Sequence, residues 1–330
     1  MPTGLRDSLN RTVEYLRISV TDRCNLRCRY CMPPEGVPRK SHHDILRYEE
    51  IVRAVRATVP LGVTRLRLTG GEPLVRPGLP DLVRMLGVVE GLRDVALTTN
   101  GQLLAQHARE LRDAGLRRIN VSLDTLQADR YREITVGGEI GRVFEGLAAA
   151  REVGFSPIKI NAVVIRGMND DEAADFARLT LEEPYDVRFI EFMPMGEVGL
   201  WSPEAVVPEE ETRAAIEALG PLELAPTPAT SRGGEAWRLP GARGTVAFIS
   251  PVSQPFCGAC NRLRLTADGK LRPCLLSDRS VDLRAVLRAG ACDSYIRAAF
   301  IEAACAKPAG HRLREGVTCP TSTPMTAIGG

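Results

Sequence analysis

The sequence has little net charge and no long apolar run. Lys and Arg together number 43 against 41 Asp and Glu, which gives a formal charge of +2. This balance offers no broad electrostatic footprint for nucleic acid or an anionic membrane, so neither partner is expected. No apolar run approaches the roughly 20 residues that span a bilayer, and the first residues, MPTGLRDSLN, lack the apolar stretch of a secretory signal. We expect a cytoplasmic protein.

Histidine and lysine are also scarce. The four histidines, His42, His43, His107 and His311, show no metal-ligand spacing and are predicted to have ordinary surface or core roles. Only four lysines accompany 39 arginines among the 43 basic residues. Where arginine is the default cation, Lys159 inside an apolar segment suggests a need for a compact point charge.

The chain is long enough for two domains, or for a barrel with an appendage, at 330 residues and 44% hydrophobic content. Pro- and Glu-rich sequence between Gly196 and Gly244 is typical of a connection. We predict a partial barrel over residues 1–235 and a smaller domain over residues 236–330.

Short apolar segments alternate with helical periodicity, which is typical of βα units and a parallel sheet. The predicted strands are Tyr15–Val20, Thr64–Thr69, Val95–Asn100, Arg118–Asp124, Ile158–Val164 and Val187–Met193. In each strand one of the two alternating sets of residues is polar, as in Arg17 and Ser19 or in Glu191 and Met193. A parallel strand covered on both faces would be apolar throughout. The pattern predicts an α/β fold, an incomplete (β/α)6 TIM-type barrel with a polar lumen and a smaller C-terminal α+β extension that binds a cluster. Polarity at a sheet edge or surface is the alternative.

The first cysteine group has the spacing CxxxCxxC and consists of Cys24, Cys28 and Cys31. Three thiolates are one short of a closed zinc site, and soft sulfur ligands suit an iron–sulfur cluster. A cubane held by three cysteines leaves one iron open for a ligand. Zinc with a distant fourth ligand is the alternative.

The second cysteine group again supplies three thiolates, from Cys257, Cys260 and Cys274. A second open iron could bind a substrate directly. Alternatively, one of the scattered cysteines closes this cluster and makes it an electron relay. We assign those three, Cys292, Cys305 and Cys319, to structural roles.

Five cations are predicted to converge on one cavity. Arg262 and Arg264 lie on one side of a predicted strand, and Arg17, Arg67 and Lys159 belong to the polar side of the barrel strands. Burying such a set without an anion would be prohibitively costly, and guanidinium groups match phosphate geometry. The substrate is therefore expected to be strongly anionic.

The run TDRCNLRCRYCMP resembles the signature of the radical S-adenosylmethionine superfamily, and GGEP at 70–73 resembles its segment for the methionine amino group. Further segments, among them RINVSLDTL, FCGACNRLRL and the terminal IGG, are similar to the superfamily's molybdenum cofactor biosynthesis family. The resemblance implies a lyase that cyclises GTP to (8S)-3′,8-cyclo-7,8-dihydroguanosine 5′-triphosphate. It implies two 4Fe-4S clusters, a deoxyadenosyl radical derived from S-adenosylmethionine, and no catalytic residue beyond the cluster ligands.

The resemblance also assigns binding residues. The S-adenosylmethionine contacts fall on Tyr30, Gly71, Ser122 and Met193. The GTP contacts fall on Arg17, Arg67, Thr98, Lys159, Arg262, Leu263 and Arg264. Gly329 and Gly330 match a C-terminal tail that reaches the active site, although the residues before them, Met325-Thr-Ala-Ile, replace a more usual serine-containing version.

The partners that the resemblance implies are GTP, a reduced electron donor and a downstream cyclic pyranopterin monophosphate synthase; a homodimer is left open. Two other functions are consistent with the cysteines. One is a radical S-adenosylmethionine enzyme of peptide maturation with an auxiliary cluster, and the other is a metal-binding protein without enzymatic activity.

Overall fold

A computed structural model describes residues 4–33, 35–195, 199–226, 235–313 and 323–329. Its first six strands alternate with helices. These strands are β1 (Tyr15–Ser19), β2 (Arg65–Thr69), β3 (Asp94–Thr99), β4 (Arg118–Ser122), β5 (Ile158–Val164) and β6 (Tyr185–Glu191). The remaining strands are β7 (Glu223–Leu224), β8 (Ala236–Arg238), β9 (Thr245–Ile249), β10 (Arg262–Leu265), β11 (Lys270–Arg272) and β12 (Val281–Asp282).

The helices lie between the strands and after them. They are α1 (Tyr48–Thr58), α2 (Leu79–Gly87), α3 (Leu104–Asp113), α4 (Ala128–Thr135), α5 (Ile140–Glu152), α6 (Ala173–Glu182), α7 (Glu209–Glu217), α8 (Leu283–Arg288), α9 (Asp293–Cys305) and α10 (Met325–Ile328). In the described part of the chain, no helix is long and apolar enough to cross a membrane.

Strands β1 to β6 are adjacent and parallel in chain order. The C-terminal half extends both edges, because β10 pairs in parallel with β1, and β9 pairs in parallel with β6. In the described residues β1 and β6 do not pair with each other, so the barrel is incomplete. This architecture confirms the predicted α/β fold, a partial barrel with a C-terminal extension.

Apolar side chains between the sheet and the helices form the main core, which includes Leu66, Ile119 and Val187 from the strands. Gly146 on α5 shows how closely the helices pack. A Cβ at this position would lie 2.9 Å from the Cβ atom of Leu104, so only glycine permits the observed approach to α3. The helices thus cover the outer face of the sheet and leave the polar side chains on the inner face.

The prediction for β6 was wrong in two respects. The strand runs from Tyr185 to Glu191 rather than from Val187 to Met193. Glu191, expected on the polar inner side, is only 4% exposed and accepts hydrogen bonds from Val252 N at 2.8 Å and Ser253 N at 2.9 Å. Backbone donors satisfy this buried carboxylate, so its polarity does not mark the inner face. The division at residue 235 stays a prediction.

Candidate active site

The inner face of the sheet surrounds a cavity of about 400 Å³. Its lining includes all six cysteines of the two groups: Cys24, Cys28, Cys31, Cys257, Cys260 and Cys274. Side chains from β1 to β6 and from β10 line the space between them. The fold therefore brings together two groups that lie more than two hundred residues apart in the sequence.

Two rows of polar side chains cross the wall formed by β10, β1 and β2. The strand register places Arg17 beside Arg264 on one side and beside Arg67 on the other. Tyr15 lies in the next row, between Arg262 and Arg65. Neighbouring strands are about 4.8 Å apart, so each row presents its side chains to the same part of the cavity. All six residues line it.

Cations from the opposite wall complete this basic half of the cavity. Lys159 on β5 and Arg188 on β6 line it, and burial, followed by nearby cations, lowers the pKa of Lys159 to about 8 and that of Arg188 to about 10. Burial and neighbouring arginines also lower the pKa of Arg17 and Arg264, the latter to about 10. A bound anion reduces the mutual repulsion of buried cations, so this half of the cavity favours an anion with several negative charges.

The first cysteine group is positioned by two glycines after β2. A Cβ on Gly71 would lie 2.4 Å from Arg23 O, and one on Gly70 would lie 2.9 Å from Thr21 O. Backbone hydrogen bonds join the two segments, from Gly71 N to Thr21 O at 2.8 Å and from Glu72 N to Arg23 O at 2.8 Å. The glycines therefore let the 70–73 segment lie directly on the cysteine loop.

Buried carboxyl groups accompany this first group. Glu72 accepts hydrogen bonds from Leu74 N at 3.0 Å and Asn100 N at 2.7 Å, and burial raises its pKa to about 7. Asp124 accepts a 2.6 Å hydrogen bond from the Tyr30 hydroxyl, and burial raises its pKa to about 6. Both line the cavity, which gives this half an acidic character.

Burial strongly disfavours the free thiolate forms of the cysteines in the first group. Burial raises the pKa of Cys24 to about 11 and that of Cys31 to about 12, and it raises the pKa of Cys28 as well. Thiolates in such a place require a bound cation or metal to compensate their charge. The buried donor set therefore fits a metal cluster.

The second group is set among basic residues. Arg11 donates to Cys257 O at 2.8 Å and to Pro308 O at 2.7 Å, which joins the cysteine loop to the segment after α9. Lys307 Nζ lies 3.5 Å from Cys260 Sγ. Although burial would raise the pKa of Cys260, the charges of Lys307 and Arg262 and a backbone hydrogen bond lower it overall.

Each cysteine group brings three thiols to the cavity, which is the donor set of a cubane with one open iron. Each thiolate of a cubane binds a different iron, so the sulfurs lie farther apart than the ligands of one ion. Among the residues that the structure describes, no three His, Cys, Asp or Glu side chains are placed to ligate one metal ion. Cys292 and Cys305 are exposed and absent from the cavity lining, and Cys319 lies outside the described residues.

Several buried polar atoms in the cavity have no hydrogen-bond partner among the described residues. They include the hydroxyls of Tyr15, Thr98 and Thr326, the Oδ1 atom of Asn161 and the Nε atoms of Arg67 and Arg188. Buried polar groups are normally paired, so this set marks where a polar ligand would bind. The orphaned atoms come from both the barrel strands and the C-terminal helix α10.

The structure places most of the predicted binding residues on this cavity. Its lining includes Tyr30, Gly71, Ser122, Met193, Arg17, Arg67, Thr98, Lys159, Arg262 and Arg264. Leu263 lies instead in the core, 1% exposed, and Gly330 lies outside the described residues. The roles assigned to these residues stay predictions.

The C-terminal tail reaches the basic wall. Arg264 donates a hydrogen bond to the carbonyl of Gly329. Gly329 has a φ of 82°, and a Cβ here would lie 2.1 Å from Thr69 Oγ1, so a side chain would fit neither the backbone nor the space.

Sequence reasoning missed further cavity residues. Arg188, Arg118 and Tyr15 line the cavity, and their alternation along the strands was the available signal. His311, assigned an ordinary role, also lines it. Lys307 contacts Cys260 without being part of the cavity lining, and only the scarcity of lysine marked it in the sequence.

Comparisons with known proteins agree with this site. Residues 18–180 match the family described as the radical SAM superfamily, and residues 185–313 match the one described as Molybdenum Cofactor Synthesis C. The GTP 3',8-cyclase of Moorella thermoacetica is 51% identical over 99% of this chain and 100% of its own length. That of Pelotomaculum thermopropionicum is 52% identical over 94% of this chain and 96% of its own length.

Among solved structures, Streptococcus suis SuiB bound to S-adenosylmethionine has a TM-score of 0.60 at 16% identity. The match covers 85% of this chain but 66% of SuiB, just under two thirds of that longer chain, and it shows a shared fold. The sequence identity to the two bacterial cyclases, over nearly whole chains, shows the family. This chain belongs to the GTP 3',8-cyclase family of radical S-adenosylmethionine enzymes.

Proposed function

We propose that the cavity cyclises GTP to (8S)-3′,8-cyclo-7,8-dihydroguanosine 5′-triphosphate, the first step of molybdenum cofactor biosynthesis. The observation that carries this proposal is the joint lining of one cavity by two cysteine triads and a set of buried cations. One triad with an acidic neighbourhood suits a cationic sulfonium compound, and the basic wall suits a nucleoside triphosphate.

The first group would hold a 4Fe-4S cluster through Cys24, Cys28 and Cys31. When bound and reduced, this cluster and S-adenosylmethionine supply a carbon-centred radical that removes hydrogen from the substrate. The protein's part is to bind and orient. Tyr30, held by its 2.6 Å hydrogen bond to Asp124, would form one wall for the adenine, with Gly71, Ser122 and Met193 as further contacts.

The backbone around Glu72 would fix the methionine end of S-adenosylmethionine. Both carboxylate oxygens of Glu72 are committed to donors, namely Leu74 N, Asn100 N and the Thr99 hydroxyl at 2.8 Å. The carboxylate therefore holds the 70–73 segment against the end of β3. This arrangement leaves backbone groups of that segment to bind the ligand's amino group.

The basic rows would hold the triphosphate, with Arg17 and Arg67 in the row beside Arg264 and with Arg262 in the row beside Tyr15. Lys159 approaches from the facing strands, where Asp186 lies 3.5 Å from its Nζ. Thr98 would supply a hydroxyl that has no hydrogen-bond partner in the described part of the chain, and Leu263 would contribute backbone contacts. These groups would fix the nucleotide, and Cys257, Cys260 and Cys274 would hold the second cluster, whose open iron could bind the guanine.

The tail residue Gly329 would complete the wall. The Gly329 carbonyl accepts from Arg264 and so fixes this guanidinium against the cavity. The enclosed wall would also keep water and other quenchers away from the reacting atoms.

Anaerobic incubation of reconstituted protein with S-adenosylmethionine, GTP and a reductant tests the proposal. We expect 5′-deoxyadenosine and a cyclised GTP product in equal amounts. Deoxyadenosine without a GTP-derived product would overturn the substrate while leaving the superfamily intact. A peptide-maturation enzyme would have no need for the buried cation rows, so tight equilibrium binding of GTP separates the two functions.

We also propose a reduced electron donor and a downstream cyclic pyranopterin monophosphate synthase as partners, in the cytoplasm, with a homodimer left open. The predicted domains at 1–235 and 236–330 are proposed to carry one cluster each. Support for this division comes from the positions of the two cysteine groups.

A further inference from the structure

Lys307 is a buried cation beside the second cysteine group. It lies two residues after the end of α9 and is 5% exposed. It is one of only four lysines in the chain. Lys40 and Lys159 lie within ion-pair distance of carboxylates, at 2.8 Å from Asp268 and 3.5 Å from Asp186. Lys307 has a different set of partners.

The ammonium group of Lys307 connects the chain segments that carry the second group. It donates to Arg262 O at 2.7 Å and to Pro273 O at 3.1 Å, and it lies 3.5 Å from Cys260 Sγ. Arg262 opens β10, and Pro273 immediately precedes Cys274. A single side chain thus contacts one cysteine directly and the backbone next to another.

The energetics of this burial point to a negatively charged neighbour. A buried ammonium group costs several kcal/mol of desolvation unless an opposite charge and hydrogen bonds compensate it. Within the described residues its hydrogen-bond partners are two carbonyl dipoles and one cysteine sulfur. Of these, only the sulfur can carry a full negative charge, and it does so as a thiolate ligand of a metal cluster.

We propose that Lys307 is a positioning residue that holds Cys260 as a cluster ligand and raises the reduction potential of the second cluster. The inference rests on the proposed second cluster. Reduction adds one negative charge to the cluster, and a fixed cation that donates a hydrogen bond to a ligand sulfur favours the reduced form. Arg11, which contacts the carbonyl of Cys257, fixes the loop without approaching a cysteine sulfur in the described contacts.

The test uses full-length protein in which Cys24, Cys28 and Cys31 are replaced by alanine, so that only the second cluster is loaded. Its reduction potential is measured by redox titration monitored by electron paramagnetic resonance. We expect Lys307→Met to lower the equilibrium constant for reduction at least tenfold, which is about 59 mV for one electron. Lys307→Arg keeps the charge and is expected to restore most of the potential. Lys270→Met, at an exposed position on β11, is the matched control and is expected to leave it unchanged.

Lys307→Gln keeps a hydrogen-bond donor without the charge and provides a second variant if the methionine variant loses its cluster. A potential in Lys307→Gln and Lys307→Met equal to that of the parent would overturn the inference. Loss of iron from both variants, with unchanged circular dichroism and with iron retained by Lys307→Arg, would support the holding role. A parent that binds no iron would instead overturn the proposed second cluster, and this inference with it.

Discussion

The two cysteine groups supply the same number of thiolates but have opposite electrostatic surroundings. Around the first group lie the buried carboxyls of Glu72 and Asp124, whose pKa values burial raises to about 7 and about 6. Around the second lie Lys307 and Arg262, whose charges help to lower the pKa of Cys260 against the effect of burial. The same ligand chemistry is therefore placed in an acidic half and a basic half of one cavity.

This difference would keep the two proposed ligands apart in one cavity. A cationic sulfonium compound is favoured near the carboxyls, and a polyphosphate is favoured near the arginine rows. Each ligand would be repelled from the other's position. In the proposed function the two cysteine groups would therefore differ because of their neighbours, since each supplies the same number of thiolates.

Loss of a cysteine from either group gives the largest expected contrast. Cys28→Ala is expected to remove about half of the iron and all formation of 5′-deoxyadenosine, because the first cluster is lost. Cys274→Ala is expected to remove the other half yet retain the first cluster. Iron analysis and the visible spectrum of protein reconstituted without oxygen check both, and unchanged iron content in Cys274→Ala would refute the two-cluster account.

Ionisation of a buried carboxyl in the acidic half is expected to destabilise the folded protein as pH rises. Burial raises the folded-state pKa of Asp124 from 3.8 to about 6, so between these pH values the folded protein binds more protons than the unfolded chain. The free energy of unfolding therefore falls as pH rises through this range, by about 3 kcal/mol at 1.36 kcal/mol per pKa unit.

Asp124→Asn removes this titrating group and is expected to make the free energy of unfolding less dependent on pH. Denaturant unfolding of cluster-free protein between pH 4 and pH 7 measures it. Exposed Asp129→Asn is the matched control. Parallel pH profiles for wild type and Asp124→Asn would show that the carboxyl is not perturbed by burial.

The basic half is expected to respond to a single arginine. Arg17→Ala removes the central guanidinium of its row, and loss of a charged hydrogen bond of about 2 kcal/mol corresponds to about 30-fold weaker GTP binding. Arg56→Ala, exposed on α1, is the control. Equilibrium binding of both ligands checks the contrast, since S-adenosylmethionine affinity is expected to change little. Equal losses of affinity for GTP and S-adenosylmethionine would contradict the division of the cavity into an acidic and a basic half.

Tyr15→Phe is expected to have the smallest effect. The hydroxyl lies among arginines and has no hydrogen-bond partner in the described residues, so an anionic ligand is its natural acceptor. A neutral donor is worth about 1 kcal/mol, or about fivefold in GTP affinity. Titration with GTP and with guanosine shows whether the hydroxyl contacts the phosphates. An equal loss of affinity for guanosine would place the hydroxyl at the nucleoside instead.

Local patterns predicted the barrel and much of the cavity. The alternation of Arg17 with apolar neighbours predicted an inner face, and strand pairing gives that face its arginine rows. Glu191 misled the same reasoning, because its backbone donors come from a distant loop at Val252 and Ser253. Sequence periodicity predicts which residues share a face of a strand. It does not predict which groups form hydrogen bonds to a buried charge.

Lys307 could not be found in this way. It belongs to neither the strand pattern nor a cysteine motif, and tertiary packing of the segment after α9 brings it to Cys260. The same holds for the contact between Arg264 and the carbonyl of Gly329, which depends on the chain terminus folding back onto β10. Such contacts between distant segments require the three-dimensional structure.

The most direct test of two ligands sharing one cavity uses GTP carrying deuterium at the ribose C3′ position. The protein is incubated without oxygen with this GTP, S-adenosylmethionine and a reductant, and 5′-deoxyadenosine is analysed by mass spectrometry. We predict deuterium in the deoxyadenosine, together with a cyclised nucleotide. Unlabelled deoxyadenosine formed while GTP is bound would contradict the account, because the two ligands would then not meet at the ribose.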